Sequence, residues 1–140
     1  LGKGLLVQEA SQTAVDIGAS MCIITYGMGV HWAKNAAKQF DDQIDIVDLR
    51  TIYPLDEELV FNTVRKHGKC LVLTEEQLNN SFAEALAARI MQHCFQSLDA
   101  PVATMGALNL PAVPMNMALE AAMLPSTEKV VQKISEMLNS

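Results

Sequence analysis

Apolar positions along this chain fall into blocks whose period changes from one block to the next. Leu5-Leu6-Val7, Met21-Cys22-Ile23-Ile24-Thr25-Tyr26, the run Ile44, Ile46, Val47 and Leu49, and Lys69-Cys70-Leu71-Val72-Leu73-Thr74 are short and nearly continuously apolar. That is the pattern of strands covered on both faces. A weaker strand is expected at Pro101-Val102-Ala103-Thr104-Met105, because Pro101 donates no ladder hydrogen bond. Between these runs the spacing becomes helical. Val30, Ala33, Ala36, Ala37 and Phe40 predict a helix over 30–40, and Leu55, Leu59, Val60 and Val64 predict another over 56–67. Phe82, Leu86, Ile90 and Cys94 mark a long helix, and Val130, Ile134, Met137 and Leu138 a terminal one.

Punctuation sharpens these boundaries. Pro54 lacks an amide hydrogen and disfavours helical geometry at Tyr53, so the Ile44–Leu49 strand should end before it. Asp56-Glu57-Glu58 places carboxylates at a helix's positive end, and Arg65-Lys66-His67-Gly68 supplies basic last-turn residues and a glycine stop. Ser81 and Glu84 have capping-box spacing, and Ser126 is the expected cap of the terminal helix. Ser11, Gln12, Thr13 and Asp16 read as a polar loop, Glu75-Glu76 as the end of the fourth strand, and 106–125 as a proline-rich loop. Strands alternating with helices imply an α/β fold, a three-layer α/β/α sandwich around a mostly parallel sheet.

Composition narrows the partners. The chain has 140 residues, enough for one ordinary domain, and half of them are apolar. Ten basic against sixteen acidic residues give a net charge of −6, which disfavours nucleic acid and anionic membrane surfaces. No apolar run is long enough to span a bilayer, and the N-terminus does not read as a signal peptide. Cys22, Cys70 and Cys94 are odd in number and widely spaced, which reads as reduced core thiols of a cytoplasmic protein. The chain begins at Leu1 rather than Met, so a single domain over 1–140, excised from a longer chain, is the expectation.

No complete active site emerges from the side chains. Gly27-Met28-Gly29 lies where phosphate-binding loops sit, but Trp32 occupies the position of the fingerprint's third glycine. A tight turn that lets the next helix pack closely is the better reading. His31 has no Ser, Cys or acid placed to pair with it, and His93-Cys94 lacks the second pair a zinc site needs. Glu75-Glu76 sits on the edge where α/β folds gather ligands, yet nothing nearby in sequence completes a metal site. Met115 and Met117 in a proline-flanked loop are candidates for an adaptable contact surface. Tyr26, His31, Trp32, Arg50, Tyr53, Glu75 and Glu76 are therefore read as interface residues, expected to cluster at the C-terminal edge of the strands.

Several of these stretches, taken in order, resemble one family. They are Ile24-Thr25-Tyr26-Gly27-Met28-Gly29-Val30-His31, Val47-Asp48-Leu49-Arg50-Thr51-Ile52-Tyr53-Pro54-Leu55-Asp56, and Leu71-Val72-Leu73-Thr74-Glu75-Glu76 with Ser81-Phe82-Ala83-Glu84. Ala100-Pro101-Val102 and Leu124-Pro125-Ser126 complete the set. The chain resembles the transketolase C-terminal-type domain found in the β subunit or β region of thiamine-diphosphate-dependent 2-oxo acid dehydrogenases. The resemblance implies a five-stranded mixed sheet with one antiparallel strand. It further implies that thiamine diphosphate and Mg²⁺ are held by other domains and that none is bound by this fragment. The implied role is assembly: contact with the remaining domains or subunits, pairing with a second copy across a two-fold, and docking of the lipoyl acyltransferase core. Thr74-Glu75 stands where relatives often have His-Glu, Asn80 and Ser81 replace usual glycines, and Leu110-Pro111-Ala112-Val113-Pro114 departs from the usual Asp-Thr-Pro-x-Pro. The C-terminal domain of a transketolase or deoxyxylulose-phosphate synthase, and a free-standing anion or nucleotide binder, are the alternatives.

Overall fold

The structure is a computed structural model that describes residues 2–108 and 122–140. Strands β1 (Leu5–Gln8), β2 (Met21–Thr25), β3 (Ile44–Asp48), β4 (Cys70–Gln77) and β5 (Ala103–Ala107) form one sheet in the order β1-β3-β2-β4-β5. β1 runs antiparallel to β3 and the other pairings are parallel, which is the mixed five-stranded sheet expected. Helices α1 (Gln12–Asp16), α2 (Met28–Ala37), α3 (Glu57–His67), α4 (Phe82–Cys94) and α5 (Thr127–Leu138) connect and cover it.

Period-2 alternation sorts the strand residues between two cores. Cys22, Ile24, Val47, Leu49, Cys70 and Val72 pack with α3 and α4 on one face. Met21, Ile23, Ile44, Ile46, Leu71 and Leu73 pack with α2 and α5 on the other. Both faces are apolar, which is why the strands read as unbroken hydrophobic runs.

Caps set the helix ends. Asp56 Oδ1 accepts the Leu59 amide at 3.2 Å, and Gly68 closes α3 in the left-handed conformation (φ +75°). Ser81 Oγ accepts the Glu84 amide, but Glu84 Oε1 returns to the Asn80 amide at 2.7 Å rather than to Ser81, whose own amide bonds Leu78 O. The capping box is thus shifted by one residue.

Three expectations need correction. Residues 12–16 form a short helix rather than a loop, capped by Ser11 Oγ on the Ala14 amide. Ala14 is its one buried residue, so it left no apolar stripe to read. β4 continues through Glu75 and Glu76 to Gln77, because β5 keeps pairing with it past a register shift after the helices no longer cover it. β5 starts two residues later than Pro101. Met115, Met117 and Leu110-Pro111-Ala112-Val113-Pro114 lie outside the described residues.

Candidate functional site

The C-terminal edge of the parallel strands gathers most of the interface candidates. Tyr26 follows β2, with its hydroxyl 2.7 Å from Thr74 Oγ1 on β4 and its ring edge-on to Phe82 at 6.0 Å. Burial pushes the Tyr26 phenol up, helped by the Glu76 and Glu75 carboxylates and opposed by the Thr74 hydrogen bond. Thr74 Oγ1 also accepts the Glu76 amide at 3.2 Å. Glu75 Oε1 accepts the Met28 amide at 3.3 Å, so a carboxylate from β4 serves the first turn of α2.

That contact explains the Gly27-Met28-Gly29 turn. Gly27 adopts φ +58° and a Cβ there would come 2.5 Å from Glu75 Oε1. Gly29 is buried, and a Cβ on it would run into Thr25 Oγ1. Both glycines serve close packing. A phosphate at this helix start would meet a carboxylate already in place, so the anion-binding alternative loses its structural basis.

Arg50 and Tyr53 lie in the loop from β3 to α3. Arg50 is exposed at φ +60° and its amide donates to Asp48 Oδ1 at 3.0 Å. Tyr53 is 86% exposed beside a cleft of about 330 Å³ lined by Ile52, Leu55, Phe82, Leu86 and the Glu57–Arg89 ion pair. Phe82 thus links the Tyr26 and Tyr53 contacts. His31 and Trp32 depart from this group. His31 is exposed on α2, and Trp32 packs against the core beneath α2 and α5, on the other side of the sheet from Phe82. The seven residues therefore do not form one patch.

Sequence reading missed a second cluster, at the N-terminal edge of the sheet. His67 Nδ1 lies 2.6 Å from Ser20 Oγ, and His67 Nε2 lies 2.8 Å from Asp45 Oδ2 without the alignment of a hydrogen bond. Lys66 Nζ reaches the same oxygen at 3.3 Å, and Asp45 Oδ1 accepts the Ala10 amide at 2.6 Å. Ser, His and Asp are the residue types of an acyl-transfer relay. Here Ser20, His67 and Asp45 are 2%, 7% and 1% exposed, so no substrate reaches the hydroxyl and the cluster is structural. The one local signal was Asp45 itself, a carboxylate inside an apolar strand.

Burial raises the Asp45 carboxyl, but His67, the Ala10 amide and Lys66 together hold it below the ordinary value. A depressed carboxylate contributes stability above its unfolded value of about 3.9, and that contribution is lost as pH falls through the lower folded value. The urea midpoint should therefore drop from pH 6 to pH 3, with a shallower drop in Asp45→Asn. Equal slopes in the two proteins would assign the acid sensitivity elsewhere.

The three thiols are free and buried, and Cys22 pairs in register with Cys70. The hydrogen bond with Cys70 and full burial push the Cys22 thiol well up, so it is a poor nucleophile. Among the described residues, no three His, Cys, Asp or Glu side chains come together as a metal site, and no helix is long and apolar enough to cross a membrane.

The transketolase C-terminal domain family matches residues 11–130. The chain is 37% identical over 123 residues to the 2-oxoisovalerate dehydrogenase subunit beta of Bacillus subtilis, covering 86% of this chain and 38% of that one. It is 32% identical over 120 residues to the pyruvate dehydrogenase E1 component subunit beta of Rhizobium meliloti, covering 84% of this chain and 26% of that one. It thus spans well under half the length of these relatives. A solved structure described as a split gene transketolase, an inactive beta4 tetramer, superposes with a TM-score of 0.73 at 19% identity. That superposition covers 99% of this chain and 42% of the other, and it shows the shared fold. With five strands in one mixed sheet and a family match running from α1 into α5, the chain belongs to the transketolase C-terminal domain family.

Proposed function

We propose that this chain is the C-terminal, non-catalytic assembly domain of the β subunit or β region of a cytoplasmic, thiamine-diphosphate-dependent 2-oxo acid dehydrogenase. The observation that carries this reading is its 37% identity to a 2-oxoisovalerate dehydrogenase β subunit, of which it spans 38%. The chemistry, oxidative decarboxylation of a 2-oxo acid and acyl transfer to lipoyl groups, belongs to the whole enzyme. Thiamine diphosphate and Mg²⁺ are held by domains outside these residues.

The domain's contribution is shape and contact. Tyr26, Arg50, Tyr53, Glu75 and Glu76 border the strand C-terminal edge and meet a neighbouring domain or subunit, while His31 and Trp32 serve a contact along α2. A second copy across a two-fold and the lipoyl acyltransferase core are further partners.

The 140-residue chain should fold alone and show no change in melting temperature with thiamine diphosphate and Mg²⁺, by scanning fluorimetry with calorimetric titration alongside. Binding at micromolar cofactor, worth about 8 kcal/mol of affinity, would place the cofactor site in this domain and sink the reading.

A further inference from the structure

Residues 2–16 carry β1 and α1 along the sheet's β3 edge, and only Ala14 among them is buried. β1 pairs with β3 at Leu5, Leu6 and Gln8, with a register shift between Leu6 and Gln8. Its firmest ties outside the ladder are hydrogen bonds to side-chain carboxylates. Gly4 N donates to Asp56 Oδ2 at 2.9 Å, and Ala10 N donates to Asp45 Oδ1 at 2.6 Å. Ser11 N adds one backbone bond, to Asp42 O at 2.7 Å.

Both carboxylates divide their oxygens in the same way. Asp56 gives one oxygen to this segment and the other to the Leu59 amide in the first turn of α3. Asp45 gives one oxygen to the segment and the other to Lys66 and His67 in the last turn of α3. The two fastenings therefore sit at opposite ends of one helix, and each bridges helix to strap.

We propose that residues 2–16 form a strap buckled to the body by Asp45 and Asp56, which opens as a unit when the Asp45 carboxylate loses its charge and uncovers the β3 edge. A neutral carboxyl trades an acceptor for a donor, so it can no longer serve an amide on one oxygen and a helix donor on the other. Besides the buried Ala14, only the partly buried Leu6 and Val7 pack against the two cores, so these bonds carry much of what holds the segment in place. Below the strap, β3 is paired on its other side by β2 and keeps its place. The body therefore stays folded.

The charged groups around each buckle fix the direction of the effect. Asp45 is faced by His67 and Lys66 from α3 and by the Cys22 thiol from β2. Asp56 shares its cleft with Lys3 of the strap and Glu58 of α3. Burial raises the Asp45 carboxyl, but the His67 contact, the Ala10 amide and Lys66 hold it below the ordinary value, so the strap is closed at neutral pH and opens only in strong acid.

Amide exchange on the 140-residue chain between pH 7 and pH 2, read as protection factors, tests this. Gly4, Ala10 and Ser11 should lose roughly tenfold to a hundredfold protection together, the worth of a charged hydrogen bond. Ile23, Ile24 and Val72 in the central strands should keep theirs. The double substitution Asp45→Asn with Asp56→Asn should give the same pattern at pH 7. Simultaneous loss in strap and central strands would overturn the proposal, as would full strap protection down to pH 2. The acid series on the unsubstituted chain decides the matter even if the double variant does not fold.

Discussion

Replacing Gly29 by alanine should destabilise the fold by about 2–3 kcal/mol, although alanine is the better helix former. Gly29 sits in the first turn of α2, where the helix rests on the end of β2. An added Cβ would collide with Thr25 Oγ1 and lie 3.5 Å from Leu73 Cγ. Thr25 cannot simply turn away. It is fully buried, and its hydroxyl donates to Leu73 O at 2.9 Å. Moving it strands a buried hydroxyl and a carbonyl, or else lifts the helix off the sheet and breaks the Glu75–Met28 contact. The melting temperature should fall by roughly 10 °C. Thr25→Ala removes the obstructing oxygen, so the double variant should lose at least about 1 kcal/mol less than the two single losses combined. Additive losses, or a Gly29→Ala protein as stable as its parent, would show that α2 is not seated as described.

What was readable in the sequence follows from how local each cause is. The three inner strands announce themselves because both their faces are buried, and Asp56 and Gly68 frame α3 by chemistry confined to a few residues. Residues 12–16 did not, since a five-residue helix with Ala14 alone buried carries no periodicity. Glu75 and Glu76 looked like the end of β4 because burial ends there, while the backbone pairing with β5 does not. Tyr26 and Glu75 were legible as edge residues because the C-terminal end of each strand could be located. Their link through Thr74 was not, being made across 48 positions. Trp32 was misplaced for a related reason: helical spacing puts it near the edge but does not say which core its ring enters. The Ser20–His67–Asp45 cluster was the least visible, because it joins the start of β2, the middle of the chain and the end of α3 through contacts that no local pattern encodes.

Tyr53→Ala should separate folding from assembly. An exposed side chain stabilises the isolated domain little, so the urea midpoint of the 140-residue chain should stay within about 0.5 kcal/mol of its parent. If the strand C-terminal edge is where the β subunit closes on its neighbours, Tyr53 brings a large ring to a cleft already floored by Phe82 and Leu86. Aromatic anchors of that kind are worth about 2–4 kcal/mol on truncation. In the longer β subunit proposed above, the substitution should weaken association roughly 30-fold to 1000-fold by sedimentation. Phe95→Ala supplies the comparison. Phe95 is 72% exposed but sits beyond α4, at the end that leads into β5, away from the Tyr53 cleft. Its loss should leave the same association constant unchanged. Equal weakening by both substitutions would mean that exposed apolar area in general drives the contact, and no effect of Tyr53→Ala would move the interface away from this edge.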